Sequence, residues 1–296
     1  MKMETDVLII GCGPAGLQAA IHASRKRCSV TVVGKSRASS ISGCHMDNYM
    51  GIRDVDGSTL LADGRAQAES TGAVFLEENV ISSSVTDGGF LFELDGGDMV
   101  TARSVILATG VSRAKLGIPG ESEFFGKGVS YCAICDCNFY RGRKVVIVGN
   151  ESEAAVSAEL MTKYASETSW VAWDLTANPV LIDRARSAGV TIHGSRPVEI
   201  KGDGKVGALM LEDGTEIPTD GVFIELGAKS SVDIAMDLGV MPEMDDSIKV
   251  GRDCSTEVPG VFACGDVTGK PWQVAKAVGE GCVAGLSAAE YVRGLQ

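Results

Sequence analysis

Two cysteines two residues apart stand in the string Cys132-Ala133-Ile134-Cys135-Asp136. At that spacing two thiols can close a small disulfide that is readily reduced and re-formed. Asp136 is suited to general acid work, because a thiolate leaving on disulfide exchange needs a proton. It also suits a plain turn or helix cap. The pair itself has two other uses, as buried structural thiols or as half a zinc site. Zinc normally takes four ligands; a second matching pair is missing, only Cys137 extends the string, and His22, His45 and His193 are remote in sequence. Redox chemistry is the reading the string satisfies best.

A second pattern opens the chain. Gly11-Cys12-Gly13-Pro14-Ala15-Gly16 fits G-x-G-x-x-G, and it lies between an apolar run, Val7 to Ile10, and a helical stretch from about Ala15 to Ser24. A strand before and a helix after are the context that gives such a match meaning. Gly11 permits the tight turn, Gly13 lets a pyrophosphate approach the backbone, and Gly16 lets helix and strand pack closely. Pro14 and Ala15 open the helix, whose N-terminus supplies amide donors and partial positive charge. The acidic residue that usually holds a ribose at the end of the second strand is absent: the chain there reads Gly34-Lys35-Ser36. Gly34 and Lys35 face the same cofactor, and other groups must hold the ribose.

These residues need a frame, and the apolar runs supply one. Val7–Ile10 and Val30–Val33 are strands apolar on both faces, as in a covered parallel sheet. Residues 73–104 alternate and turn at Asp95-Gly96-Gly97-Asp98, which predicts short antiparallel strands; Val105–Ala108 is a further buried strand leading to Thr109-Gly110. The pattern then restarts with a strand over 144–149, a helix over 152–165 and a strand over 169–173. A helix near 178–188, hairpin-like strands around 197–220 and a strand at 222–226 follow. Gly260-Val261-Phe262-Ala263-Cys264-Gly265-Asp266 reads as strand and turn, and a helix from about Gln273 to Tyr291 ends the pattern. The expected fold class is α/β: two Rossmann-like, three-layer nucleotide-binding domains, the second inserted in the first. The boundaries expected are 1–114 with 245–296 for the first domain and 115–244 for the insert.

Composition narrows the partners. The chain has 296 residues, room for about two domains, with 45% hydrophobic and 22% charged residues. A net charge of −12 argues against nucleic acid and anionic membrane, which both select a basic face. The apolar run near the N-terminus is too short for a secretion signal or a membrane span. Nine scattered cysteines do not form a secreted disulfide framework, so a reducing cytoplasm is the expected setting.

Taken together the chain resembles the low-molecular-weight thioredoxin reductases, collinearly and over essentially its whole length. The strings that carry this are Gly11–Gly16, Asn48-Tyr49-Met50-Gly51, Ala108-Thr109-Gly110, Cys132–Asp136, Gly260–Asp266, and Gln273-Val274 before an alanine- and glycine-rich helix. The resemblance implies FAD held by the first fingerprint, Asn48, Thr109-Gly110, Gly265-Asp266 and Gln273-Val274. It implies Cys135 as the thiol facing the flavin, Cys132 as the one attacking a thioredoxin-like partner, and Asp136 as the proton donor. It also implies a homodimer and a rotation between domains, with hinges near 112–116 and 243–247. Too few residues precede Val7 for an appended thioredoxin-like domain of the peroxide-defence kind.

The insert departs from that pattern. Its fingerprint reads Gly149-Asn150-Glu151-Ser152-Glu153-Ala154, with Glu151 where the middle glycine belongs. A side chain there blocks backbone approach, and two unit charges about 4 Å apart repel by roughly 4 kcal/mol at an effective dielectric of about 20. That is about a thousandfold in affinity. If the two glutamates merely cap the helix, they still leave no room for a phosphate. Trp173-Asp174-Leu175-Thr176 offers no arginine pair for a 2′-phosphate, although Asp174 could hold a ribose hydroxyl of NADH. The expected donor therefore bypasses NADPH, and the resemblance, through relatives that lost the nicotinamide site, implies a reduced deazaflavin, or ferredoxin docking on a local basic patch such as Arg25-Lys26-Arg27 or Arg141-Gly142-Arg143-Lys144. Trp272 is placed to shape such a donor pocket or only to pack. Two other functions use the same parts: an FAD-dependent oxidase of small dithiols using oxygen, and a flavin-binding redox sensor.

Overall fold

A computed structural model of the chain describes residues 2–36, 39–42, 44–111, 115–227 and 229–295, and of Cys135 the backbone alone. It divides into two compact units, one made of Met1–Ser112 with Ile234–Gln296 and the other of Arg113–Asp233.

The first unit begins with β1 (Lys2–Ile10), α1 (Pro14–Arg25), β2 (Val30–Val33) and the small hairpin β3 (His45–Met46) and β4 (Val55–Asp56). It continues with α2 (Gly57–Ser70), β5 (Val74–Leu76), β6 (Val80–Thr86), β7 (Gly89–Leu94) and β8 (Met99–Leu107). The second unit carries β9 (Val129–Ser130), α3 (Ala133–Asp136), β10 (Lys144–Val148), α4 (Ser152–Met161), β11 (Glu167–Val171), α5 (Pro179–Ser187) and β12 (Thr191–His193). There follow β13 (Pro197–Gly202), β14 (Val206–Leu211), β15 (Glu216–Pro218) and β16 (Gly221–Ile224). Helix α6 (Ser231–Asp237) spans the return, and β17 (Val261–Ala263) and α7 (Val274–Gly294) complete the first unit.

The main sheet runs β5-β2-β1-β8-β7-β6, with β17 also on β8. Strands β5, β2, β1, β8 and β17 are parallel, and β6, β7 and β8 form an antiparallel meander. One nine-residue strand, β8, serves both: its first half pairs with β7 and its second with β17. The sequence reading split this strand at Val105. Its burial changes there from alternating to continuous, which marks the passage from a half-covered to a fully covered sheet. Side chains of β1 alternate as a strand must: Val7 and Ile9 pack with α1 and α7, whereas Leu8 and Ile10 pack with the meander residues Phe92 and Leu94.

The second unit repeats the plan with a parallel sheet β12-β11-β10-β16-β9 and a three-stranded antiparallel sheet β13-β14-β15. Val146, Val148, Val222 and Ile224 of the first pack against Leu209 and Leu211 of the second. The fold is thus α/β with two Rossmann-like units. The return to the first unit comes at Ile234, not at 245. Ile234, Ala235, Leu238 and Val240 are buried with Leu8 and Val105, so apolar packing draws 234–244 into the first unit. Of the hinge expected at 112–116, residues 112–114 lie outside the described residues. Helix α4 stops at Met161, short of 165. Helix α2 was missed: it buries Gly57, Leu61 and Ala68 alone and carries Gly64 at its centre.

Candidate functional site

Each unit gathers part of the expected chemistry. In the first, the C-terminal ends of β1, β8 and β17 meet the N-termini of α1 and α7. Gly11 has φ +118°, and a Cβ there would lie 2.2 Å from the Ala108 carbonyl oxygen. A Cβ on Gly16 would lie 2.0 Å from the Gly11 carbonyl oxygen, so turn and helix touch backbone to backbone. At Gly13 a Cβ would meet nothing among the described residues nearer than Ser39 Oγ at 3.6 Å. That open face beside a helix N-terminus suits a pyrophosphate. Pro14 is the first residue of α1 and Ala15 is buried behind it. Gly265 approaches from the far end of the chain with φ +84°, where a Cβ would lie 2.8 Å from that of Ala15.

Asn48 Nδ2 donates to Gln273 Oε1 at 3.1 Å, which joins two expected cofactor residues from opposite parts of the sequence. Val274 begins α7, and Lys276 two residues on donates from Nζ to the carbonyls of Gly265 and Gly269 at 2.8 and 2.9 Å. Glu280 Oε2 accepts from Gly265 N at 2.8 Å. Burial, opposed by the Lys276 charge, pushes the Asp266 carboxyl up. Gly110 has φ +72° just past β8, beside Thr109. Neither Lys276 nor Glu280 was singled out in the sequence; a lysine and a glutamate four apart on a helix read as an ordinary surface pair.

A carboxylate of the neighbouring strand stands beside the segment where the ribose carboxylate is missing. Glu77, directly after β5, accepts from Ser36 N and Oγ at 3.1 and 2.8 Å and pairs with Arg65 of α2. Burial acts to raise Glu77, but the Ser36 and Arg65 contacts outweigh it and hold the carboxyl low. Lys35 Nζ instead lies 3.9 Å from Asp95 Oδ2, and Gly34, at φ +150°, accepts from Cys12 Sγ at 2.9 Å. Burial pushes that thiol up to about 12, so Cys12 is an inert packing group.

In the second unit, β9 delivers Cys132 to the start of α3. Ser130 Oγ accepts from Cys132 N at 3.1 Å. Cys132 is buried and disulfide-bonded, while cysteines 12, 28, 44, 137, 254, 264 and 282 are free. The Cys135 side chain lies outside the described residues. Asp136 is half-buried on α3, and with burial its charge raises the Tyr140 phenol.

The carboxyl oxygen recorded against Cys132 belongs to another residue. Asp233 Oδ1 stands 2.6 Å from Cys132 Sγ, and Asp233 Oδ2 accepts from Ser230 Oγ at 2.6 Å. Asp233 N in turn donates to Ser230 Oγ at 3.1 Å, a serine N-cap that starts α6. Glu225, directly after β16, accepts from Ala133 N at 3.0 Å and from Ser157 Oγ at 3.3 Å. Burial, then the neighbouring charges of Glu153 and Asp233, drive the Glu225 carboxyl well above the usual carboxylate range. Glu153, Glu225 and Asp233 are 5%, 8% and 3% exposed, respectively. Ser230-x-x-Asp233 was legible as a capping signal, but nothing local ties it to a cysteine about a hundred residues away.

The second fingerprint makes the same close backbone turn as the first but carries two glutamates at the start of α4. A Cβ on Gly149 would lie 2.0 Å from the Glu225 carbonyl oxygen. Asn150 Oδ1 accepts from Asp174 N at 3.1 Å and its carbonyl from Thr176 N at 2.9 Å, which ties the turn to the end of β11. Glu151 is the N-cap of α4 and half-buried, whereas Glu153 in the first turn is buried. Of the basic segments, Lys144 pairs with Glu167, and the Arg141 guanidinium lies over the Tyr164 ring at 4.9 Å. Trp272 is half-exposed with Lys270 Nζ 5.2 Å from its ring centre. Among the described residues no helix is long and apolar enough to cross a membrane.

Known proteins share this arrangement. The pyridine nucleotide-disulphide oxidoreductase family matches residues 5–281. The thioredoxin reductase of Listeria monocytogenes serovar 1/2a is 35% identical over 305 residues, which cover 98% of this chain and 95% of that protein. Among solved structures, the atypical thioredoxin reductase TRi from Desulfovibrio vulgaris Hildenborough is 36% identical with a TM-score of 0.84, covering 98% of both chains. A ferredoxin-flavin thioredoxin reductase from Clostridium acetobutylicum is 35% identical with a TM-score of 0.70, covering 99% of this chain and 100% of that one. The chain therefore belongs to the pyridine nucleotide-disulphide oxidoreductase family, among its thioredoxin reductases. It is a flavin-dependent disulfide oxidoreductase whose cofactor is FAD.

Proposed function

We propose that this enzyme passes electrons through FAD and the Cys132/Cys135 disulfide to a thioredoxin-like protein, and that its donor is not NADPH. When bound, FAD accepts an electron pair from the donor and yields it to the disulfide. The chain's own residues hold and screen that group. The first fingerprint (Gly11, Gly13, Pro14, Ala15, Gly16) and Gly265-Asp266 cradle the pyrophosphate side. Ser36, Glu77 and Arg65, with Gly34 and Lys35, would hold the ribose end, and Asn48, Thr109, Gly110, Gln273 and Val274 would complete the cofactor's site. Cys132 makes the nucleophilic attack on the partner disulfide, and Asp136 gives up a proton as the dithiol forms. The working form is a homodimer.

The single observation that carries the donor assignment is the state of the second fingerprint. Glu151 is the N-cap where the middle glycine belongs, and Glu153 is buried at the helix start where a pyrophosphate would need amide donors. A dianionic pyrophosphate brought to two glutamates loses the favourable field such a helix offers. The name of the Clostridium acetobutylicum protein supports ferredoxin as one donor; a reduced deazaflavin is the other.

The test is anaerobic stopped-flow absorbance of the FAD-loaded protein mixed in turn with NADPH, NADH, reduced ferredoxin and reduced deazaflavin. Flavin bleaching by one of the last two, followed by reduction of an added thioredoxin-like disulfide, is the expected result. Saturable bleaching by NADPH overturns the donor assignment. Rapid oxygen uptake driven by small dithiols, with no transfer to a protein disulfide, overturns the direction of flow in favour of the oxidase.

A further inference from the structure

We infer that Asp233 is the proton partner of Cys132, giving its proton to the Cys132 sulfur when the disulfide is opened and taking it back when Cys132 attacks a protein disulfide. The inference rests on the redox role just proposed for Cys132.

The geometry is direct. Asp233 Oδ1 lies 2.6 Å from Cys132 Sγ, and both side chains are buried. A disulfide sulfur has no hydrogen to donate. The contact in the oxidised protein therefore requires the proton on the carboxyl, since a carboxylate against sulfur lone pairs in a dry site is repelled. Ser230 fixes the carboxyl: it donates to Oδ2 at 2.6 Å and accepts from Asp233 N, which leaves Oδ1 aimed at the sulfur. Glu225 at the end of β16, with Glu153 of α4 behind it, is buried beside Asp233. The buried Lys229 lies four residues earlier on Asp233's own segment.

The steps balance. Reducing the disulfide takes an electron pair from reduced FAD; the S–S bond breaks, and two protons complete two thiols. Asp233 supplies the proton that ends on Cys132 and becomes a carboxylate. In the next half-reaction the Asp233 carboxylate removes that proton, and the Cys132 thiolate attacks one sulfur of the partner's disulfide. The other partner sulfur leaves as a thiolate that takes a proton from water, so Asp233 stays protonated; the Cys135 thiolate then attacks the Cys132 sulfur of the mixed disulfide, which closes the Cys132–Cys135 bond and releases the partner's second sulfur as a thiolate that water protonates. Since the thiolate is the nucleophile, the carboxyl that owns its proton sets the pH at which exchange runs.

The experiment needs no turnover. The reduced protein is alkylated with iodoacetamide across the pH range, and modification of the Cys132 peptide is followed by mass spectrometry in the wild type and in Asp233→Asn. A carboxylate beside a thiol disfavours the thiolate, and an amide does not. The midpoint for Cys132 is expected to fall by at least about one pH unit in Asp233→Asn, which is about tenfold more thiolate below both midpoints. Superimposed profiles overturn the inference and leave the redox role of Cys132 standing. A Cys132 that reduced FAD never converts to a thiol overturns that role instead. Infrared difference spectra of the wild type, oxidised minus reduced, give a measurement independent of whether the variant folds. Reduction is expected to remove a protonated-carboxyl band for Asp233 beside the one for Asp136, and a spectrum that loses no second band sinks the assignment.

Discussion

At the scale of single residues, the chemistry is set by which carboxyls are kept from water. Glu225 shows this most plainly. Its folded-state affinity for a proton is raised, first by burial and then by Glu153. A carboxyl raised in this way contributes its full stability below the ordinary carboxylate range and loses it as pH climbs toward its folded value. Glu225→Gln keeps an oxygen to accept from Ala133 N and has no proton to lose. The variant is expected to melt above the wild type at pH 8, with the gap closing toward pH 5. Thermal melts monitored by circular dichroism at the two pH values check this, and a gap that widens in acid contradicts it.

At the scale of elements, the cofactor crevice depends on how closely two helices lie. A Cβ on Gly281 of α7 would lie 2.2 Å from the Ala15 carbonyl oxygen, and one on Gly285 would lie 2.4 Å from that of Ala19. Helix α7 thus rests on the backbone of α1, the helix whose N-terminus faces the pyrophosphate. Gly281→Ala forces the two apart and is expected to cost about 1–3 kcal/mol, as overpacking does. It should also lower the fraction of protein that retains FAD after gel filtration, read from the flavin-to-protein absorbance ratio. How much of this was legible beforehand follows the range of the forces. The βαβ openings at Val7 and Lys144 and the long closing helix announce themselves, because burial on both faces or at helical spacing writes a local pattern. Helix α2 does not, since it buries few side chains, and the unity of β8 does not, since its two halves face different neighbours. The fingerprint glycines were readable from turn chemistry alone. Glu77 beside Ser36 and Asp233 beside Cys132 were not, because strand order and chain return bring them there, and neither is encoded within a window of ten residues.

At the scale of the whole molecule, net charge decides how a donor arrives. The chain carries −12, and an acidic electron-carrying protein meets that field at every approach except a local basic patch. Raising ionic strength from about 20 to about 200 mM shortens the screening length severalfold. Flavin bleaching by an acidic ferredoxin is expected to quicken several-fold over that range, while bleaching by an uncharged deazaflavin stays nearly constant. Stopped-flow rates at the two salt concentrations decide the matter; a ferredoxin rate that falls with salt shows that a basic patch governs docking.

The return of the chain through α6 has one more consequence. The peptide that leaves the second unit joins Asp233, whose carboxyl touches the redox sulfur, to Ile234, which is sunk in the core of the first. The cable between the two bodies is therefore anchored at the acid itself. A substitution that loosens Ile234 in its core is thus felt one peptide bond away, at the carboxyl that faces the sulfur.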